Sequence, residues 1–486
     1  MANITFPYPY PEHLGIMMPE IILAVLAMAL LLGDLCVPKE KKQWVAWAAV
    51  ATCIVTLIAL LQIPTAPAYT TFYGYFVLDD FAAYGKVLLL AATILGIFLS
   101  MDYMKDEVNI GEYYVLMLFA LLGMMFMVSA NNFVLLYLGL ELMALSLYVL
   151  VAYQRDVLRS SEAALKYFIL GSLSSGMLLY GLSFIYGVTG SFMFDGIAEG
   201  LAQAGSSSNI AVLLGMMFII AGLSFKVSIA PFHMWTPDTY EGAPTPVTAF
   251  MSVAPKVAGF IIFIRVLADA FPSLQQEYTS VLIVLAILTI GVGNVAAIAQ
   301  RNIKRMLAYS TVGHVGFVLL GLIAATQEGY SAALVYLTIY LFMNIGVFAI
   351  VILMRRDGIQ GELLDDFAGL AKVRPGYALA MGLLLFSLAG IPFLAGFWAK
   401  FAVLTAVIDA GHIWLAVYAI VFSVVGCFYY LRLIKYMYFD DERVVFAFHE
   451  SPVMQATIIS TTLAVVVFGL YPAPVLAVCA SVVTMF

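Results

Sequence analysis

The chain has 486 residues, 64% of them hydrophobic and only 10% charged, with a formal net charge of −7. A soluble globular chain is roughly a quarter charged, so an aqueous core is excluded as the sink for this much apolar surface, and lipid must solvate most of the length. The excess acid is not gathered into a tail, which excludes a nucleic-acid partner on charge grounds. The four cysteines (Cys36, Cys53, Cys427, Cys479) lie in or beside apolar runs without Cys-x-x-Cys spacing and read as packing residues.

Met1 to Pro11 lack the basic segment of a signal peptide, so the first apolar run is expected to remain as an uncleaved anchor. A spanning helix needs about 20 apolar residues, and the apolar runs predict about fourteen of them. In chain order the spans are 15–37, 43–63, 77–103, 112–130, 132–153, 160–188, 209–235, 243–270, 277–299, 303–325, 329–354, 376–408, 412–438 and 455–482. The fold expected is therefore an all-α polytopic membrane protein.

Basic residues orient the spans. After odd-numbered spans come Lys39, Lys41 and Lys42; Lys105; Arg155 and Arg159; Arg301, Lys304 and Arg305; Arg355, Arg356, Lys372 and Arg374; and Arg432, Lys435 and Arg443. The connections after even-numbered spans carry none. The exception in the odd set is Thr236 to Pro244, between spans 7 and 8, which has no basic residue. By the positive-inside rule the odd connections face the cytoplasm or matrix, and both termini lie opposite.

Six basic residues remain inside spans: Lys86, Lys166, Lys226, Lys256, Arg265 and Lys400. A charge at mid-membrane costs at least about 2.5–3.5 kcal/mol on insertion scales, which makes each a candidate for function. Arg265 and Lys166 lie near span ends and can snorkel to the headgroups. Lys86 lies close to Asp79 and Asp80, where a structural ion pair and a functional role are both open. Glu141, Lys226 and Lys256 lie too deep to reach water. Desolvation weakens a lysine's hold on its proton and a nearby carboxylate restores it, so a lysine whose distance to a glutamate changes can take up and release protons. The alternative is a static pair that fixes helix packing.

Proline breaks two spans, at Ala230-Pro231-Phe232-His233 in span 7 and at Gly390-Ile391-Pro392-Phe393 in span 12. In lipid such breaks are tolerated only against protein or a hydrated cavity. They lie five spans apart, an odd offset that inverts topology, as in transporters built on inverted repeats. A fainter echo pairs Asn132 to Tyr137 with Asn302 to Tyr309 and sets His314 near the place of Glu141. His233 and His314 are possible proton relays. No metal-ligand spacing, phosphate loop or nucleophile elbow occurs. The remaining methionines and aromatics read as packing or lipid-facing.

Several stretches together resemble the N-type (ND2-type) subunit family of respiratory complex I, the proton-translocating NADH–quinone oxidoreductase. They are Gly139-Leu140-Glu141-Leu142-Met143, Glu162-Ala163-Ala164-Leu165-Lys166-Tyr167-Phe168, and Phe225-Lys226 on to Pro231-Phe232-His233-Met234-Trp235-Thr236-Pro237-Asp238. Further on come Tyr240-Glu241-Gly242-Ala243-Pro244, Ile303-Lys304-Arg305-Met306-Leu307-Ala308-Tyr309-Ser310, and Gly390-Ile391-Pro392 to Lys400.

The resemblance implies two inverted five-helix repeats, helices 4–8 and 9–13, with helices 7 and 12 broken. Residues 1–111 would then hold helices 1–3, 112–270 the first repeat, 271–438 the second and 439–486 helix 14. It implies a proton path in which Glu141 modulates Lys226, and Lys256 leads to Lys400, with His233, His314 and Lys166 as possible relays. It implies no cofactor in this chain: NADH, FMN, iron–sulfur clusters and quinone belong to partner subunits. The partners implied are the M-, K- and J-type membrane subunits and the lipid bilayer. Lys400, where the M-type subunit usually has a glutamate, and room for only one span after span 13, unlike the extended L-type, favour N. A subunit of a multi-subunit cation/proton antiporter and a non-pumping structural subunit are the alternatives. The charge parity, length and full span set point to a bacterial plasma membrane.

Overall fold

The computed structural model describes residues 15–38, 42–66, 68–105, 110–203, 209–355, 361–441 and 451–484. The expectations placed on Met1 to Pro11, Lys39, Lys41, Arg356 and Arg443 lie outside the described residues. Three helices open the chain: α1 (Met18–Asp34), α2 (Gln43–Leu61) and α3 (Asp80–Tyr103). Then follow α4 (Ile110–Val128), α5 (Phe133–Val151), α6 (Leu158–Thr189), a short α7 (Phe194–Gln203), α8 (Ile210–Val227), a short α9 (Trp235–Gly242) and α10 (Thr245–Arg265). The second half runs through α11 (Gln275–Ile298), α12 (Ile303–Ala324), α13 (Gln327–Leu353), α14 (Pro375–Ala389), α15 (Ala395–Asp409), α16 (Ile413–Phe439), α17 (Pro452–Leu470) and α18 (Ala473–Ser481).

Among the described residues, 12 helices are long and apolar enough to cross a membrane. The chain is a multi-pass membrane protein. The two expected spans outside that dozen are the first, whose helix has 17 residues, and the twelfth, broken into halves of 15 residues each. Helices α10, α12 and α13 are buried almost throughout, whereas α6, α16 and α17 turn most of their residues outward. Both kinds are apolar all round, because the solvent of the outer helices is as apolar as the core.

The all-α expectation needs one correction. Tyr69–Thr71 (β1) and Phe76–Leu78 (β2) form an antiparallel hairpin, with Tyr69 opposite Leu78 and Thr71 opposite Phe76. Aromatic and β-branched residues flank its turn, and Gly74 there takes φ +86. The hairpin docks on the α4–α5 turn, where Val77 N–H donates to Ser129 O (2.9 Å) and Asn131 N–H to Tyr75 O (2.9 Å). Helix α7 was also not expected; one face of it, Phe194, Ile197 and Leu201, is buried. The fourteenth expected span ends early, at Leu470, because Pro472 cannot continue the ladder.

Two junctions in the chain are built alike. Asn132 caps α5 by accepting from Leu135 N–H (2.7 Å), and Asn302 caps α12 by accepting from Arg305 N–H (3.2 Å). Phe133 N–H donates to Phe192 O and Phe194 N–H to Asn131 O; likewise Ile303 N–H donates to Glu362 O and Leu364 N–H to Arg301 O. Helix crossings repeat the correspondence. A Cβ on Gly123 would stand 2.5 Å from Met143 N and 2.6 Å from Gly139 O; one on Gly293 would stand 2.4 Å from Gly313 N and 3.0 Å from Tyr309 O. Every one of these pairs is separated by one constant chain offset. In that register the counterpart of Glu141 is Thr311, and His314 lies one helical turn further on.

These crossings bring backbone against backbone, so a side chain there cannot be absorbed by a rotamer change. Gly123→Val and Gly293→Val should each cost about 1–3 kcal/mol by overpacking and lower the amount of folded chain. Gly176→Ala and Gly187→Ala, where a Cβ meets nothing within 4 Å, should leave it unchanged. Thermal melts of the detergent-solubilised chain check both.

Candidate functional site

Helix α8 stops one residue after Lys226, because Ser228 turns into the left-handed region at φ 70. The stop frees carbonyls in a region without water, and side chains take up the vacancies. The Trp235 indole N–H donates to Phe225 O (2.9 Å), Thr289 Oγ1 accepts from Ala230 N–H (3.0 Å), and Thr236 donates to Ser228 Oγ (2.7 Å). Lys226 itself is buried, and its Nζ has no hydrogen-bond partner among the described residues. It lies 5.7 Å from the centre of the Phe225 ring.

Lys256 occupies the middle of α10, directly after Pro255. Proline has no N–H for the carbonyl four residues back. That carbonyl, Met251 O, accepts from the Tyr240 hydroxyl (3.4 Å). Lys256 is buried and its Nζ also lacks a hydrogen-bond partner among the described residues. It sits 4.7 Å above the Trp235 ring and 5.6 Å from the Tyr240 ring. A desolvated cation–π contact is worth about 2 kcal/mol, so these rings supply part of the solvation that water would give.

The second break has the same logic with the parts exchanged. Helix α14 ends at Ala389, Gly390 takes φ +87, and α15 starts at Ala395. Lys400 lies beyond the break, but its Nζ reaches back to donate to Ala389 O (2.9 Å) and to Ser423 Oγ (2.9 Å). A Cβ on residue 390 would stand 2.8 Å from Lys400 Cδ, so glycine is required there by space as well as by φ. Lys226 precedes its proline and Lys400 follows its own, yet both ammonium groups belong to the carbonyl end of the first half-helix, where the dipole favours a cation. The Phe317 ring lies 5.1 Å from Lys400 Nζ.

His314 shares a small cavity with Lys400, of about 10 Å³ and so about the room of one water. Its Nδ1 is hydrogen-bonded with the Tyr336 hydroxyl (2.6 Å) and its Nε2 with Tyr430 (2.9 Å), which pairs in turn with Ser310 (2.5 Å). Glu141 does not pair with Lys226: the Ser175 hydroxyl donates to its Oε1, and the carboxylate is half-buried on the outer face of α5. His233, half-buried in the first break, lies 6.3 Å ring to ring from Tyr309 on α12.

The family described as NADH:quinone oxidoreductase/Mrp antiporter, TM, matches residues 130–426, which run from the α4–α5 turn through both breaks. NADH-quinone oxidoreductase subunit N of Rhodospirillum rubrum is 47% identical over 466 residues, 95% of each chain. Its counterpart in Paramagnetospirillum magneticum is 46% identical over 462 residues, 94% of each. The chain belongs to the NADH-quinone oxidoreductase subunit N family. A chain of respiratory complex I from Thermus thermophilus, solved with bound aureothin, matches with a TM-score of 0.79 at 30% identity, over 95% of this chain and 100% of that one. The Mrp complex of a Dietzia species shares the fold alone, at a TM-score of 0.84 and 20% identity. Subunit N is therefore favoured over the antiporter alternative by sequence, not by shape.

In this subunit N chain, several charges lie elsewhere than the sequence suggested. Lys86 pairs with Glu20 (2.7 Å), both wholly buried, rather than with Asp79 or Asp80. Asp79 instead receives Arg265, whose Nη2 donates to both of its oxygens (3.0 and 2.7 Å). Arg265 is thus buried in an ion pair and does not snorkel. Lys166, considered as a relay, is exposed and binds Glu162 (2.8 Å) and Asp238 (2.9 Å). The residues that sequence reasoning passed over are Trp235, Tyr240, Tyr336, Tyr430 and Ser423, whose polar atoms serve the breaks and the histidine. Aromatic crowding around the first proline was the available signal.

Lys166 opens an ionic lattice at the end of the bundle that carries the basic connections. Asp238 and Glu241 on α9 bind Arg305 (2.7 and 2.9 Å), Arg159 bridges Glu241 (2.8 Å) and Glu362 (3.0 Å), and Glu362 binds the buried Lys304 (3.0 Å). The one odd connection without a basic residue thus borrows its cations from its neighbours. Partial burial pushes the Glu362 carboxyl up, but Lys304 and then Arg159 hold it below its ordinary 4.5. Its contribution is complete above the ordinary value and is lost as pH falls through the depressed one.

Glu362→Gln leaves Lys304 buried without its counter-ion and should cost about 3–5 kcal/mol at pH 7, read as a lower thermal midpoint. Lys372→Ala, which breaks an exposed pair with Asp441, should leave the midpoint unchanged. Wild-type stability should show no lattice-dependent loss between pH 6 and 8.

Proposed function

We propose that this chain is a membrane-arm pump subunit of proton-translocating NADH–quinone oxidoreductase and moves protons through Glu141, Lys226, Lys256 and Lys400. The observation that carries the proposal is the setting of the three lysines. Each is buried at or beside an interrupted helix, and among the described residues each lacks a carboxylate at ion-pair distance. A buried ammonium faced by aromatic rings, and at Lys400 also by a carbonyl and a hydroxyl, can release its proton without leaving a bare anion behind. Membership of the subunit N family supports the reading.

Glu141 is the switch. When it approaches Lys226 the lysine stays protonated; when Ser175 holds it, as here, the proton is free to pass on to Lys256 and Lys400. His314, between two tyrosine hydroxyls and beside Lys400, is the relay of the second half, and His233 serves the first break. Lys166 acts from outside the path, as a partner of Asp238. Moving one charge against 100 mV takes about 2.3 kcal/mol, so the swing in proton affinity must be about two units, or about 2.7 kcal/mol.

The matched junctions and crossings support two five-helix units, 112–270 and 271–438, inverted with respect to each other, between helices 1–3 and a fourteenth span. The orientation read from basic residues puts both termini on the periplasmic side of a bacterial inner membrane. NADH, FMN, iron–sulfur clusters and quinone are the business of partner subunits, with M-, K- and J-type membrane subunits as neighbours. The half-buried Glu141 on an outward helix face fits a neighbour packed there.

Glu141→Gln and Lys226→Met are expected to give complexes of normal content on native gels whose quinone-linked proton translocation falls at least tenfold. Normal pumping by either assembled variant would return the chain to the structural alternative.

A further inference from the structure

Trp235 is the first residue of α9 and is 2% exposed. It contacts Lys256 and the residue that precedes Lys226. Its N–H donates to Phe225 O, the carbonyl immediately before Lys226, and its ring faces Lys256 Nζ at 4.7 Å. Tyr167 stacks on its other side, with centroids 4.5 Å apart and planes 17° apart. Tyr148, on the helix that carries Glu141, meets Tyr167 edge-on at 4.7 Å. The far end of α9 is fastened by Asp238 and Glu241 in the ionic lattice. The indole is therefore held by its N–H bond to Phe225 O and by ring contacts to Tyr167, Phe225 and Tyr240.

The chemistry of the contact is specific. A π face attracts an ammonium but has no lone pair that could accept its proton, so it steadies the charged lysine without competing as a base. The N–H fixes that face to the end of α8. We propose that Trp235 is the positioning residue that couples Lys226 to Lys256: it presents its face to the protonated Lys256 and, through Phe225 O, carries any shift of the broken end of α8 to that lysine. This rests on the reading that both lysines carry protons. A tryptophan that merely filled space would need neither the directed N–H nor the lysine above its ring.

The test uses the whole complex in membrane vesicles, with NADH-driven quinone reduction and proton uptake measured together and native gels for content. W235L removes face and N–H; W235F keeps a face and removes the N–H. The expected result for W235L is normal content, about tenfold weaker pumping and an alkaline limb of the pumping profile moved about one unit toward lower pH. The sign follows because the face favours the protonated lysine. W235F is expected to keep the limb and lower the proton-to-electron ratio, because the face is present but untied. W398L is the control, since the Trp398 N–H also donates to a carbonyl, Gly469 O (2.9 Å), with its ring against Phe397 and Phe401; it should not move the limb.

Wild-type ratio and profile in both assembled Trp235 variants, with Lys256→Met unable to pump, would overturn the coupling while leaving the proton path intact. Normal pumping by Lys256→Met would overturn both. If W235L does not assemble, W235F decides: a parallel loss of turnover and pumping at an unchanged ratio would make Trp235 a packing residue.

Discussion

Lipid offers no hydrogen bonds, so a helix interrupted inside a membrane must find protein donors for every carbonyl it frees. Much of this structure follows from meeting that demand at three places. Trp235 serves the end of α8, Tyr240 serves the carbonyl orphaned by Pro255, and Lys400 serves the end of α14. Ser387 closes the second gap by accepting from Gly396 N–H (2.9 Å). The groups that repair the backbone are also those that position the charges. At Trp235 the two roles sit on different parts of one side chain, the N–H on Phe225 O and the ring on Lys256.

The molecule contains two populations of buried cation, and their partners distinguish them. Lys86 with Glu20, Arg265 with Asp79, and Lys304 with Glu362 are matched to carboxylates and read as fixed charges. Removing either member would strand the other, which is why such pairs hold elements in register. Two of these pairs tie α1 to α3 and α3 to the end of α10, so the opening helices are fastened to the body by charge as well as by packing. Lys226 and Lys256 face aromatic rings, and Lys400 faces a ring, a hydroxyl and a carbonyl. None of the three has a carboxylate at ion-pair distance among the described residues.

The lattice of Lys166, Asp238, Arg305, Glu241, Arg159, Glu362 and Lys304 joins α6, α9 and α12 and the segment after α13. It fastens the element that follows the first break to the opening of the second half.

Read alone, the sequence determined the membrane character, nearly all of the spans and both breaks. These depend on run length, proline and charge, which are local properties of the chain. The hairpin at Tyr69–Leu78 was not expected from the sequence, where its end falls inside the third expected span. Only the tertiary structure decided the partners. Whether Lys86 meets Asp79 or Glu20, whether Arg265 reaches water or Asp79, and whether Lys400 joins the second break from its far side all depend on which helices become neighbours. Lys226 precedes its proline and Lys400 follows its own, and only the fold shows that Lys400 reaches back across its break to the last carbonyl of α14. A lysine side chain spans the gap that the sequence offset opened, because an ammonium is drawn to the negative end of the nearest half-helix.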